Sequence, residues 1–189
     1  MSRLLNALYE ENKNFNLISE LIPISDLTCI NEKRENALLL SLHFELPIIT
    51  HQILSYKNCG IDQIDYLGNN SLILSLKKYY RNISLGILEK GIKNINYVDK
   101  HGDSALSCAL RYDYIDIIEK ILTYNDINVN HIDKHGDSIL LIAIDNLKED
   151  LSIKLIEKFN VNINYINNHG FDALTLSITK RLRNLSKLL

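Results

Sequence analysis

Residues 99–132 read DKHGDSALSCALRYDYIDIIEKILTYNDINVNHI, a segment bounded on its far side by another aspartate, Asp133. Its opening, Asp99-x-x-Gly102, is a tight-turn signature, because an Asp side chain bonds backbone two residues on and Gly accepts a positive φ. Ser104 follows where a helix N-cap belongs. Leu106 and Leu110 then mark one face of a short helix by their i, i+4 step. Ile117 and Ile121 mark a second helix in the same way. The end of the segment, with Val129 and Ile132, is β-branched and favours extended backbone. One segment therefore predicts turn, helix, helix and extended arm.

The same grammar recurs along the chain. Asn31, Asp65, Asp99, Asp133 and Asn167 each stand 34 residues after the last. Gly68, Gly102, Gly136 and Gly170 keep that interval, and the cap position holds Asn36, Asn70, Ser104, Ser138 and Asp172. Behind the caps run apolar columns, Leu38, Leu72, Leu106, Leu140 and Leu174, then Leu42, Leu76, Leu110, Ile144 and Ile178. Between them lies a small-residue column, Ser41, Ser75, Ala109, Ala143 and Ser177, which lets neighbouring helices approach closely. Second-helix columns are Ile49, Ile83, Ile117, Leu151 and Leu185, then Ile53, Ile87, Ile121, Leu155 and Leu189. Arm columns are Ile61, Ile95, Val129 and Ile163, then Ile64, Val98, Ile132 and Ile166. No such short helix buries its apolar face alone, so each repeat depends on its neighbours and the stack shares one core.

These motifs resemble the ankyrin repeat family. The period matches the tetratricopeptide length, but that pattern needs Trp and Leu-Gly positions in an all-helical unit, and this chain has no Trp. The extra residue relative to the usual ankyrin length falls between the second helix and the arm, as in 123–127. Residues 88–96, LEKGIKNIN, resemble the family's exit from its second helix. The resemblance implies a mainly α solenoid of stacked helix-turn-helix units with extended hairpin arms. It divides the chain into a capping unit at 1–30, repeats at 31–64, 65–98, 99–132 and 133–166, and an incomplete repeat at 167–189. In the capping unit Leu4, Ala7, Leu8, Leu17, Ile18, Leu21 and Ile22 read as a helix pair with a longer connection. The family's Thr-Pro-Leu-His tetrapeptide survives only as cap and Leu, for example Ser104-Ala105-Leu106-Ser107, so the preset first turn and a side-chain network are lost. Arg34 occupies a turn-glycine position and predicts a distorted or different turn. Leu189 falls on a core column in mid-helix, which implies a frayed end, a covering surface or a longer polypeptide.

Composition narrows the function. The chain has 189 residues, 46% of them hydrophobic, and a net charge of −2. Such balance gives no global attraction to nucleic acid or anionic membrane. Its longest apolar run, Ile139 to Ile144, is far short of the ~20 residues of a membrane span. The opening residues lack a secretory leader pattern, so a cytoplasmic location is expected, in a host cell if the source is viral or an effector. Abundant Ile, Asn, Lys and Tyr point weakly to an AT-rich source such as a large DNA virus or intracellular microbe. Cys29, Cys59 and Cys108 lack metal or redox spacing and are expected as free thiols. Cys108 falls in an apolar column. No phosphate loop, zincin or nucleophile-elbow motif is present, so neither enzyme activity nor a cofactor is expected. His101, His135 and His169 share one column, but turn tips about 10 Å apart cannot converge on one zinc ion, which needs ligands at about 2.0 to 2.1 Å.

The resemblance also implies where a partner protein would bind, on a concave face made of turn tips and first helices. In order along the chain the candidates are Tyr66, Leu67, Asn69, Lys77 and Lys78; Lys100, His101, Asp103, Arg111 and Tyr112; Lys134, His135, Asp137, Asp145 and Asn146; and Asn168, His169, Phe171, Thr179 and Lys180. Tyr66, Arg111, Tyr112 and Phe171 are the expected anchors, since aromatics and Arg dominate hot spots. Asn130 resembles the hairpin asparagine that asparaginyl hydroxylases modify, although an asparagine here also serves the arm's turn through its own side chain. The leading reading is a protein-interaction module, a host-directed adaptor in one version, monomeric in solution. The alternative is a structural subunit that assembles through its open C-terminal repeat.

Overall fold

The computed structural model describes residues 2–189, and these contain twelve short α-helices. They fall into two compact units, one ending at Lys100 and the other beginning at His101. In the first, three antiparallel hairpins follow one another: α1 (Arg3–Tyr9) and α2 (Phe15–Leu21), α3 (Ala37–His43) and α4 (Pro47–Leu54), α5 (Ser71–Lys77) and α6 (Arg81–Lys90). First helices pack on first helices, α1 on α3 on α5, and second helices on second helices, α2 on α4 on α6. The second unit repeats the plan with α7 (Ala105–Arg111) and α8 (Ile115–Ile121), α9 (Ile139–Asp145) and α10 (Glu149–Lys158), α11 (Ala173–Thr179) and α12 (Arg183–Leu188). There α7 packs on α9, α9 on α11, and α10 on α12.

Local chemistry explains why each helix starts where it does. All five expected caps adopt extended backbone and accept the amide three residues on. Asn70 Oδ1 takes Ile73 N at 2.8 Å, and Asp172 Oδ1 takes Thr175 N at 2.8 Å. Each cap satisfies a donor that the helix cannot, worth roughly 1 kcal/mol against Ala. The small column is wholly buried, at 0% exposure for Ser41, Ser75, Ala109, Ala143 and Ser177. Its hydroxyls are satisfied locally: Ser75 Oγ donates to Leu72 O at 2.9 Å and lies 2.7 Å from Ser84 Oγ on α6.

First helices end in a device that no glycine announces. In the first hairpin with this loop, Glu45 N donates to Leu42 O and Leu46 N to Ser41 O. The same paired bonds recur at Tyr79, Asp113, Leu147 and Arg181. These are Schellman closures, which require a left-handed residue. All five residues supply it, with φ between 57° and 63°, although none is glycine.

The tips deliver one clear correction. Arg34 does not distort its turn. It adopts φ 60°, its amide bonds Asn31 O at 2.9 Å, and Asn31 N bonds Glu35 O at 3.0 Å. Gly68 makes the same turn, with φ 81°, its amide on Asp65 O at 3.1 Å and Asp65 N on Asn69 O at 3.0 Å. The surrounding bonds over-determine the backbone and force Arg34 into a conformation costing about 1–2 kcal/mol for an L-residue.

Two other expectations need adjustment. The arms are shorter than extended hairpins, closing as turns with isolated antiparallel bridges at Ile64–Asn70 and Ile132–Ser138. The core columns hold through Leu140 and Ile144, at 1% and 0% exposure, but Leu174 and Ile178 in α11 are 40% and 60% exposed. On α9 the equivalent positions are covered by α11. Ile163 and Ile166 of the last arm are exposed too.

Candidate partner-binding surface

Each candidate residue descends from a turn tip or from the last turn of a first helix, and their local bonding divides them. Tyr66 and Leu67 sit at the apex of the 65–69 turn, 43% and 38% exposed. Their backbone is fixed: Tyr66 N donates to Lys33 O at 2.9 Å, and Lys100 Nζ donates to the Tyr66 carbonyl. Lys33 Nζ also stands 5.7 Å from the Tyr66 ring, within cation–π range. An aromatic and an aliphatic side chain are thus presented from a rigid support. Lys100 is itself packed along the tip, where its Cγ would lie 2.5 Å from a Cβ on Gly68.

Asn69 and Asp103, expected on the open row, are buried at 6% and 2%. The reason is the closure of the turn. Asn69 gives its backbone amide to Asp65 Oδ1 at 2.8 Å and its carboxamide to Asp65 Oδ2 at 3.1 Å. Asp103 accepts Lys134 Nζ at 3.0 Å. Neither is displayed to a partner.

The cations on the first helices are braces. Lys77 Nζ bonds Asp99 Oδ2, and Arg111 bonds Asp133 Oδ2 through Nε at 2.8 Å and through Nη2. Both aspartate side chains are at 0% exposure. Arg111, expected as an anchor, therefore neutralises a buried charge. Sequence reading missed the role of these aspartates beyond turn formation. The signal was present in the 22-residue offset from cation to aspartate, Lys77 to Asp99 and Arg111 to Asp133. Where the helix carries Asp145 instead, the tip residue is Asn167, and Asp145 pairs with Lys180 at 2.7 Å. Lys78 pairs with Glu45 at 2.8 Å.

In the second unit His101, His135 and His169 are exposed at the turns. His135 N and His169 N donate to Asp133 Oδ1 and Asn167 Oδ1, at 2.9 and 3.0 Å, so the backbone is held. Asn168 is exposed, with Nδ2 on His135 O at 3.1 Å. Asp137 lies 3.6 Å from Arg111 Nη2 and accepts Asn167 Nδ2 at 2.7 Å. Asn146 gives Nδ2 to Leu110 O at 2.7 Å. Tyr112 is half-buried, 6.3 Å between ring centroids from Tyr114, and Phe171 is half-buried. Asn130 belongs to the arm, but its carboxamide does not make the local turn bond expected of it. It spans to the next arm, donating Nδ2 to Asn160 O at 2.9 Å and accepting Asn162 N at 2.7 Å. The local turn bond comes from Asn128, whose Oδ1 accepts Asn130 N at 3.0 Å.

The cysteines are outside this surface. Cys59 and Cys108 are buried and Cys29 is half-buried. Burial pushes the Cys29 and Cys59 thiols above their ordinary range, away from the reactive thiolate. Among the described residues, no helix is long and apolar enough to cross a membrane.

No protein-family model matches the chain, and no curated protein matches its sequence. Solved structures do match its fold. EF0377, an ankyrin repeat protein, superposes with a TM-score of 0.71 at 16% identity, over 98% of this chain and 94% of that one. An ankyrin repeat domain from Acinetobacter baumannii AYE gives 0.72 at 19% identity, over 98% and 94%. A third match, 0.68 at 18% identity over 98% and 96%, comes from the complex of the predatory endopeptidase Bd0816 of Bdellovibrio bacteriovorus with the immunity protein Bd3460. The chain has the mainly α ankyrin-repeat fold.

Proposed function

We propose that this chain is a non-catalytic interaction module that holds a partner protein through its turn tips and the adjoining ends of its first helices. The observation that carries the reading is the exposed pair Tyr66 and Leu67 on a backbone fixed from both neighbouring tips. A rigid, preorganised aromatic loses little entropy on binding, which is why such residues become hot spots. His135, Asn168, His169 and Phe171 provide the equivalent positions in the second unit. Lys77 and Arg111 serve this surface by holding it in place. Residues 1–30 act as the capping unit of the array, and a host-directed adaptor in a cytoplasm is the finer version of the reading. Fold similarity to ankyrin-repeat structures supports the general class.

The test is affinity capture from source-cell extract with quantitative mass spectrometry, using the wild-type chain and Tyr66→Ala/Leu67→Ala. A partner retained by the wild type should drop at least tenfold with the double variant, at unchanged melting temperature. Equal retention by both proteins would sink the tip surface as the binding site.

A further inference from the structure

The exposed face of the last repeat carries a second, differently built binding surface, and we propose that its occupant is an acidic, amphipathic helix of a partner protein. Leu174 and Ile178 lie one helical turn apart on α11, where the equivalent Leu140 and Ile144 on α9 are sealed by the following hairpin. Their spacing and chemistry therefore already fit a helix laid across them, the mode by which an amphipathic segment enters an apolar groove.

Charge decides which helix. Along the helix-joining loops and second helices of the earlier repeats, ion pairs run one way, acid on the earlier repeat and lysine on the later one. Glu45 meets Lys78, Asp113 meets Lys148 and Glu119 meets Lys154. Glu149 likewise reaches forward, accepting Asn184 N at 2.7 Å and Leu185 N at 2.9 Å. In the last repeat the positions of Glu45 and Asp113, of Glu119 and of Glu149 are taken by Arg181, Lys187 and Arg183, all exposed. The forward-facing rim of the last repeat is cationic at all three places. The nearby carboxylate, Asp172, is committed to the α11 cap.

Another repeat of the same pattern would bring lysines against these cations. A second copy stacked end-on fits no better. In the columns where later first helices bury Ala37 and Leu40, α1 presents the exposed Arg3 and Asn6. An apolar stripe flanked by Glu or Asp satisfies both halves of the face, burying the two aliphatic side chains and pairing with the cationic rim.

The experiment is NMR titration of the full chain with two fluorescent amphipathic peptides, each a helix of leucines at i, i+3, i+4 and i+7, flanked in one by glutamates and in the other by lysines. The glutamate peptide should shift resonances of 174–187 and bind at least tenfold more tightly than the lysine peptide, a difference of about 1.4 kcal/mol. Arg183→Glu with Lys187→Glu should reverse that preference without lowering the melting temperature, since both side chains are exposed. Equal affinity for the two peptides, or shifts lying elsewhere, overturns the proposal. So does a wild-type dimer by light scattering that Ile178→Asp dissolves, which assigns the face to a second copy. Sedimentation with phosphatidylserine vesicles, lost in the double reversal, would overturn it in favour of a membrane.

Discussion

Arg111 Nε donates to Asp133 Oδ2 at 2.8 Å, and the Asp133 side chain is fully out of water. The other oxygen, Oδ1, holds the tip by accepting His135 N at 2.9 Å and Asp137 N at 3.0 Å. One carboxylate thus ties a turn to the end of the preceding first helix. The arrangement recurs with Lys77 and Asp99, and disappears where Asp145 removes the cation. There the tip carries Asn167, which makes the same two turn bonds without a charge to neutralise.

Removing one member of such a pair leaves a buried charge uncompensated. Arg111→Ala should destabilise the protein by about 3–5 kcal/mol, while Arg111→Ala with Asp133→Asn should recover much of that loss. Lys148→Ala, which breaks an exposed pair with Asp113, should cost less than about 1 kcal/mol. Urea denaturation of the four proteins gives the comparison. A small Arg111→Ala effect, matching Lys148→Ala, would mean that the Asp133 charge is solvated after all.

Non-glycine residues at left-handed positions are the second source of measurable energy. An L-residue there costs about 1–2 kcal/mol, and glycine gives back about 0.4–1 kcal/mol through its looser unfolded chain. Arg34→Gly and Leu147→Gly, at φ 60° each, should therefore stabilise by roughly 0.5–1 kcal/mol. Calorimetry should show a higher melting temperature for both. A fall in either would show that the lost side chain contributes more than the backbone gains.

The same positions mark the limit of what the chain discloses before folding. Caps and core columns are legible because their residue types are confined to a narrow set by hydrogen bonding and burial. Ser138 and Leu140 could be placed from spacing alone. Leu147 and Tyr79 could not, since the helix end dictates their backbone while their side chains stay exposed and of no fixed type. Likewise Asn69 and Asp103 read as surface polar residues, and only the turn geometry that folds them under the tip removes them from the binding row. Exposure of Ile178 depends on what packs over it, which no local pattern encodes.

Acid should weaken the last cap. Hydrogen bonds from the Thr175 backbone and hydroxyl hold the Asp172 carboxyl below its ordinary range. A group with a depressed folded pKa stabilises fully above its unfolded value, about 3.9 for Asp, and that stabilisation is lost as pH falls through the folded value. Asp172→Asn keeps a cap but removes the titration. Stability measured from pH about 5 down to about 2 should fall less steeply in the variant. Parallel curves would exclude Asp172 as a contributor.

Asn130 supplies the last prediction, because its carboxamide is engaged at both ends by the following arm. Both bonds to residues 160–162 have to open before an enzyme can take up the carboxamide. Local opening of this kind is set by the stability of the surrounding segment. Arg111→Ala loosens the tip that the same arm leads into. Hydroxylase treatment should therefore add oxygen to Asn130 faster in Arg111→Ala than in the wild type, read by peptide mass mapping. Equal rates would show that the arm opens independently of the tip, and an unmodified Asn130 in both proteins would remove it as an acceptor.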